Sequence, residues 1–182
     1  MIPRLKETYQ KKLAGELQKK LNLKNPNAVP KMEKIVINVG IGKMNQDGKA
    51  ANIVIQELSK ITGQKPVIAK AKKAIANFKL RQGMPVGVMV TLRQAKMYEF
   101  MDRLFNVALP RVKDFKGVSR KSFDEKGNYT MGVREYTIFP EIDIDKAEKM
   151  FGMNITFVSK SKNKEEALEL LSGLGMPFRE AK

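Results

Sequence analysis

Gly63-Gln-Lys-Pro-Val-Ile-Ala-Lys-Ala-Lys-Lys-Ala-Ile-Ala-Asn-Phe-Lys-Leu-Arg-Gln-Gly-Met-Pro85 is the stretch around which the rest of the chain is read. It lies within Leu58 to Tyr98, 41 residues that hold nine Lys or Arg and no Asp or Glu. Like charges at this density repel one another, and a bound polyanion is the natural stabiliser. The stretch is not a low-complexity tail. Val67, Ile68, Ile75, Phe78 and Leu80, followed by Val86, Val88 and Val90, form an apolar framework that a disordered basic arm lacks. Lys65 to Ala71 and Pro85 to Arg93 read as extended. In the second, Val86, Val88, Val90 and Leu92 point inward, with Gly87, Met89, Thr91 and Arg93 on the other face. Lys72 to Met84 reads as a long loop between them, and long loops without structure of their own are usually functional.

Upstream, residues 3–21 predict an amphipathic helix. Pro3 suits its first turn, and Leu5, Tyr9, Leu13, Leu17 and Leu21 recur every four residues. Its other side carries Lys11, Lys12, Lys19 and Lys20, which suit a solvated face or an RNA-touching one equally. Asn25 to Pro30 breaks the helix. Lys34 to Ile41 then alternates, with Ile35, Ile37, Val39 and Ile41 on a core face and Lys34, Val36, Asn38 and Gly40 opposite. Gly42 to Gly48 predicts a turn and Ala50 to Ile61 a helix that Gly63 stops.

Downstream, Ala95 to Ala108 predicts a helix with Met97, Met101, Leu104, Phe105 and Ala108 as its apolar stripe, ended by Pro110. Arg111 to Ser122 is a second basic segment. Asp124 to Asn128 has turn chemistry, leading to an expected strand pair over Tyr129 to Phe139. Pro140-Glu-Ile-Asp143 opens an expected short helix through Met150. Asn154 to Ser159 predicts a strand with Ile155 and Phe157 inward. Asn163 caps a last helix with Glu165 and Glu166 in its first turn, closed by Gly173 or Gly175.

A chain of 182 residues fits one domain, and 42% apolar content is enough for a core. The net charge of +16 is uneven: +6 over residues 1–59, +11 over 60–120 and −1 over 121–182. That concentration marks a binding face better than a general solubility charge. There is no run of 18 apolar residues for a membrane span and no signal-peptide core, and the lack of Cys suits a reducing cytosol.

The lack of both His and Cys removes the usual general base, metal ligand and thiol nucleophile. Glu141, Asp143 and Asp145 cluster, but without the spacing of a calcium loop. Gly42 and Gly48-Lys49 suggest a phosphate loop, yet five residues separate the glycines and Ala50 follows the Lys where a hydroxyl residue belongs. No catalytic residue, cofactor or metal is therefore expected, and an enzyme would have only Lys and carboxylates to work with.

Nucleic acid is the better partner. Lys and Arg neutralise phosphates, and Asn38, Gln64 and Thr91 offer directional hydrogen bonds on or beside strands. Phe78, set among the basic residues, suits either stacking on a base or anchoring the loop inside. Helix-turn-helix spacing, zinc fingers and the aromatic signature of an RNA-recognition sheet are all missing. A single structured RNA target and a broad RNA chaperone activity both fit these features.

Several segments carry a resemblance across nearly the whole chain, in one order: Ile35-Val-Ile-Asn-Val-Gly-Ile-Gly42, Thr62-Gly-Gln-Lys-Pro66, Ala71-Lys-Lys73, Phe78-Lys-Leu-Arg-Gln-Gly-Met-Pro85, Thr91-Leu-Arg93, Leu109-Pro-Arg-Val-Lys-Asp-Phe115, Gly127-Asn-Tyr129, Phe139-Pro-Glu141 and Leu174-Gly-Met-Pro-Phe178. The chain resembles the bacterial large-subunit ribosomal protein L5 family. The resemblance implies a single α+β domain over residues 1–182, with an antiparallel sheet, helices packed on one face and a long basic loop between two strands. It implies a non-enzymatic cytoplasmic ribosomal component that binds 5S rRNA in the central protuberance through Asn38, Gln64, Phe78, Thr91 and Arg93. Lys70, Lys72, Lys73, Lys79, Arg81 and Gln82 of the loop would reach the P-site tRNA elbow and 23S rRNA. Further implied partners are neighbouring central-protuberance proteins and, across the subunit interface, a protein of the small-subunit head. Ala69 and Ala74 stand where the family often has hydroxyl residues, leaving the loop to its Lys side chains and backbone N–H groups.

Overall fold

The structure is a computed structural model describing residues 2–42, 50–143 and 150–179. In chain order its elements are helix α1, which runs through Arg4–Thr8, Tyr9–Leu13 and Ala14–Lys20, then strand β1 (Lys31–Gly40) and helix α2 (Ala50–Thr62). Strands β2 (Val67–Lys70) and β3 (Pro85–Leu92) lead to helix α3, Gln94–Arg103 continued through Leu104–Ala108. Strands β4 (Tyr129–Val133) and β5 (Met153–Lys160) and helix α4 (Lys164–Gly173) complete the order. The strands form one five-stranded antiparallel sheet, β2-β3-β1-β5-β4, so the protein is α+β as expected. Its residues gather into two compact units, the first of Met1–Ile35, Leu92–Met131 and Thr156–Lys182, the second of Val36–Thr91 and Gly132–Ile155.

In the first unit, α1 and α3 pack together through the predicted stripes. Leu5, Leu13 and Leu17 are buried on α1, and Met97, Met101, Leu104, Phe105 and Ala108 on α3. A stripe at spacing four outruns the 3.6 residues of an α-helical turn and would wander by about 40° per step. Both helices contain one wide turn with i→i+5 bonding, at Tyr9–Leu13 and at Leu104–Ala108, which turns the stripe back toward the core. Arg4 Nε donates to Asp102 Oδ2 at 3.0 Å between them. Pro110 sits inside the last helical turn, Leu109–Arg111, and Val112 is the first extended residue. Around Tyr129 an aromatic cluster forms, with Phe123 at 4.7 Å and Phe178 edge-on at 5.6 Å. Asn163 Oδ1 accepts the Glu166 N–H at 3.0 Å, satisfying one free donor of α4, and Glu166 Oε2 accepts the N–H of Lys162, the residue before the cap, at 2.8 Å.

In the second unit the predicted alternation holds. Ile37 and Val39 of β1 and Val88 and Val90 of β3 are buried with Val54, Leu58 and Ile61 of α2, whereas Asn38 and Met89 on the opposite side are exposed. Gly63, at φ +63°, closes α2. Tyr136 stacks face to face on Phe151 at 4.0 Å.

Three expectations change. The strand pair over Tyr129 to Phe139 is one strand, β4, followed by a 3₁₀ turn at Tyr136–Ile138. Arg134-Glu135 provides no residue of positive φ for a tight hairpin, and buried Tyr136 draws the chain inward instead. Val67, Ile75 and Phe78 do not support the basic stretch from within: they are 66%, 45% and 72% exposed. Third, the long loop Lys72 to Met84 is an ordered hairpin with backbone hydrogen bonds of its own. The turn to Gly48, with Gly48-Lys49, lies outside the described residues beyond Gly42, as do residues 144–149 of the helix expected through Met150 and the Asp145 of its acidic cluster.

Two tyrosine hydroxyls bear on stability. Partial burial, with a lesser contribution from Tyr98, pushes Tyr9 up to about 12, and burial pushes Tyr129 up to about 12. Both donate, Tyr9 Oη to Pro30 O at 2.9 Å and Tyr129 Oη to Ser119 O at 2.7 Å. An unfolded tyrosine ionises near pH 10, so their contribution is intact below that pH and lost as pH rises toward the folded values. Unfolding midpoints measured against pH should stay level through neutrality and fall between about pH 10 and 12, the fall shrinking in Tyr9→Phe and Tyr129→Phe. Gln94 opens α3 at φ +51°, a region that disfavours a side chain. Gln94→Gly should therefore raise stability by about 1 kcal/mol, read as a rise in Tm of about 2–4 °C.

Candidate nucleic-acid interface

The basic face of the second unit begins at the end of α2. The Thr62 hydroxyl, buried, donates to Leu58 O at 2.7 Å and accepts the Gln64 N–H at 3.3 Å. The left-handed turn at Gly63 then aims Gln64 along the sheet, and its Nε2 donates to the Thr91 carbonyl oxygen of β3 at 3.0 Å. Gln64 thus keeps its Oε1 and one N–H for a ligand. A shallow groove of about 640 Å³ lies beside it, lined by Ile55, Gln56, Ser59, Lys60, Gly63, Gln64 and Lys65.

Next to it lies the uncovered side of β1, β3 and β2. In register, Val67 pairs with Met89 and Ala69 with Gly87, so these four share one side of the sheet. A side chain on Gly87 would meet Val39 O at 3.1 Å and Asn38 Oδ1 at 3.9 Å. The missing Cβ leaves Asn38, exposed on β1, beside a flat floor with Ala69 in line. Thr91 is half-buried four residues beyond Gly87 on β3.

The segment expected as a structureless loop has an order of its own. Ala71 N–H donates to Met84 O at 2.8 Å and Gly83 N–H to Ala71 O at 2.9 Å, closing its neck. At its tip Ile75 and Leu80 exchange backbone hydrogen bonds of 2.9 and 3.1 Å around the short turn Ala76–Phe78, with Lys79 left-handed at φ +52°. Lys70, Lys72, Lys73, Lys79, Arg81 and Gln82 lie along this hairpin with their side chains exposed. No described carboxylate forms an ion pair with any of these cations, whereas Lys60 on α2 is bound to Glu57 at 2.8 Å. Phe78, 72% exposed beside Lys79, is not a buried anchor.

The structure therefore brings Gln64 and Thr91 into direct contact and places Asn38 on the same unit's open sheet face. Phe78 and the loop cations project from one hairpin. Arg93, in the first unit, is exposed and extended just before α3. Sequence reasoning missed the roles of Thr62 and Gly63 in holding Gln64, and the ordered tip of the loop. Gly83, which takes φ +85°, and the Phe78-Lys79 turn are the signals that mark a hairpin. Of the four N-terminal Lys residues, Lys11 pairs with Glu7, Lys12 with Glu16 and Lys20 with Glu169, and Lys19 is exposed.

A folded basic protein with an uncovered sheet face that presents Asn38, and an ordered hairpin of exposed cations, has the features of an RNA-binding protein. Comparison with known proteins makes this specific. Residues 25–81 match the family described as ribosomal protein L5, and residues 85–178 match the ribosomal L5P family C-terminus. The chain is 59% identical over 180 residues to the large ribosomal subunit protein uL5 of Anaeromyxobacter sp. (strain Fw109-5), covering 99% of this chain and 100% of that one. It is 57% identical over 178 residues to that of Syntrophotalea carbinolica, covering 98% and 97%. With that of Clostridium botulinum (strain Loch Maree / Type A3) the identity is 56% over 178 residues, covering 98% and 99%.

The chain belongs to the ribosomal protein L5 family. It is a structural, non-enzymatic constituent of the large ribosomal subunit and part of the translation machinery of the cytoplasmic ribosome. Among the described residues no helix is long and apolar enough to cross a membrane.

Because Phe78 makes little of the core, Phe78→Ala should change stability by less than about 0.5 kcal/mol, a shift in Tm of no more than about 1–2 °C. A larger drop in a thermal melt would mean that the ring holds the hairpin together.

Proposed function

We propose that the protein binds 5S rRNA in the central protuberance of the large subunit through Asn38, Gln64, Phe78, Thr91 and Arg93. In the same reading Lys70, Lys72, Lys73, Lys79, Arg81 and Gln82 reach the elbow of the P-site tRNA and nearby 23S rRNA. Neighbouring central-protuberance proteins and a protein of the small-subunit head complete its partners, the latter as a bridge between the subunits.

The observation that carries this reading is the hairpin tip. Ile75 and Phe78, both apolar, stand in solvent among unpaired cations on a backbone that is hydrogen-bonded into one shape. Exposing a phenyl ring to water is unfavourable in the free protein, and stacking on a base together with phosphate binding offsets that cost. The open sheet face supports a division of labour. Asn38 and the remaining groups of Gln64 offer directional hydrogen bonds suited to one structured RNA, while the Lys residues supply charge that carries no sequence information. The small side chains at Gly87 and Ala69 let a backbone approach the strands closely.

The test is binding of the purified chain to 5S rRNA against a scrambled RNA of equal length across a salt series. Preference for 5S rRNA is expected to persist near about 150 mM salt. Gln64→Ala or Arg93→Ala should weaken 5S binding by about 10- to 100-fold, corresponding to about 1–3 kcal/mol for a directional hydrogen bond. Lys72→Gln with Lys73→Gln should spare 5S binding and impair tRNA-dependent function. Equal affinity for both RNAs, falling in parallel with salt, would reject the reading in favour of a general RNA chaperone.

A further inference from the structure

We propose that the segment Arg111 to Lys121 in the first unit is a second RNA-binding surface, shaped for the phosphate backbone of double-helical RNA. It carries Arg111, Lys113, Lys116, Arg120 and Lys121, all exposed, against the single acid Asp114. No described carboxylate forms an ion pair with any of the five. On α1 of the same unit, by contrast, Lys11, Lys12 and Lys20 are each neutralised by a Glu. The charge here is left open.

From Gly117 onward the segment is also strapped down by hydrogen bonds, although it contains no strand or long helix. Val118 N–H donates to Pro177 O at 2.8 Å, and Arg179 N–H returns to Val118 O at 3.0 Å. Arg179 Nε donates to Gly117 O at 2.9 Å, the Tyr129 hydroxyl to Ser119 O at 2.7 Å, and Thr130 N–H to Ser122 O at 3.1 Å. Gly117 is left-handed at φ +86°, and a side chain there would collide with the Arg179 backbone at 2.8 Å. An unstrapped segment of this length would lose much conformational entropy on binding; this one is already ordered, so its cations are pre-positioned.

The ligand follows from what the surface lacks. Val118 is buried and Val112 and Phe115 are partly buried, so the segment has no fully exposed aromatic ring like Phe78 of the hairpin. That disfavours a single strand, whose binding depends on such rings. A protein interface would need an aromatic or apolar anchor at its centre and would be poor in Lys. Charge alone, on a fixed frame, matches the regular phosphate rows of a duplex.

The inference does not rest on which residues meet 5S rRNA, since none of Asn38, Gln64, Phe78, Thr91 and Arg93 enters it. The experiment uses the full chain and a generic RNA duplex of about 20 base pairs, with affinity measured across a salt series. The variant Lys116→Gln, Arg120→Gln, Lys121→Gln should lower the magnitude of the log–log salt slope by about 2–3, near 0.9 for each phosphate no longer neutralised. Exchanging Lys116 and Lys121 for Arg and Arg120 for Lys should restore the slope. Near-ultraviolet circular dichroism and a thermal melt confirm that each variant is folded. Lys72→Gln with Lys73→Gln is measured in parallel, so that the hairpin's own share of RNA binding is read separately. An unchanged slope and affinity in the folded triple variant would overturn the proposal and leave the patch to an acidic protein face.

Discussion

Alternation along β1 and β3 is the constraint on which the other features depend. A residue in a strand can face the core only if its neighbours face away, so burying Ile35, Ile37 and Val39 compels Asn38 to stand outside. A slip of one residue would expose those three side chains and bury an amide. At about 2 kcal/mol for each aliphatic chain, that approaches the whole stability of an ordinary domain. The same rule on β3 buries Val88 and Val90 and turns Met89 outward. Coverage of one side of these strands thereby creates the open side, and the interface uses surface that the core had no means of covering.

Charge is distributed to match. Lys11, Lys12 and Lys20 of α1 are paired with Glu7, Glu16 and Glu169 in exposed contacts that contribute little to stability but reduce the local field. The hairpin at Lys72–Met84 and the strapped segment at Arg111–Lys121 are held by backbone bonds, and their cations stay unpaired among the described residues. Stability and charge presentation are thus assigned to different groups: main-chain hydrogen bonds hold the frame, and side chains are left for phosphate. Such a frame lowers the ordering cost when RNA binds.

Much of this was legible along the chain. The strands β1, β2, β3 and β5, the four helices and their caps at Gly63 and Asn163 follow from period and capping chemistry, since both are local rules. Spacing four at Leu5-Tyr9-Leu13 and Met97-Met101-Phe105 announced the stripes, although not the wide turns that keep each stripe on its core. The pair of strands expected after Tyr129 failed because Tyr136 stacks on Phe151, a partner fifteen residues away that no local rule names. Phe78 was ambiguous for the same reason: an aromatic residue in a basic loop suits either side until its surroundings are known.

The sequence by itself determined the family, the alternation that gives the sheet two unlike sides, and the concentration of positive charge in the middle third. Each depends on residue identity and short-range spacing. Only the tertiary structure decided that Gln64 spends an N–H on the Thr91 carbonyl, that Phe78 is exposed, and that Gly87 opens the floor beside Asn38. It also decided that Lys20 of α1 is paired with Glu169 of α4. Those outcomes turn on distances between side chains in space, many of them far apart in the chain, and no pattern along one strand or helix encodes them.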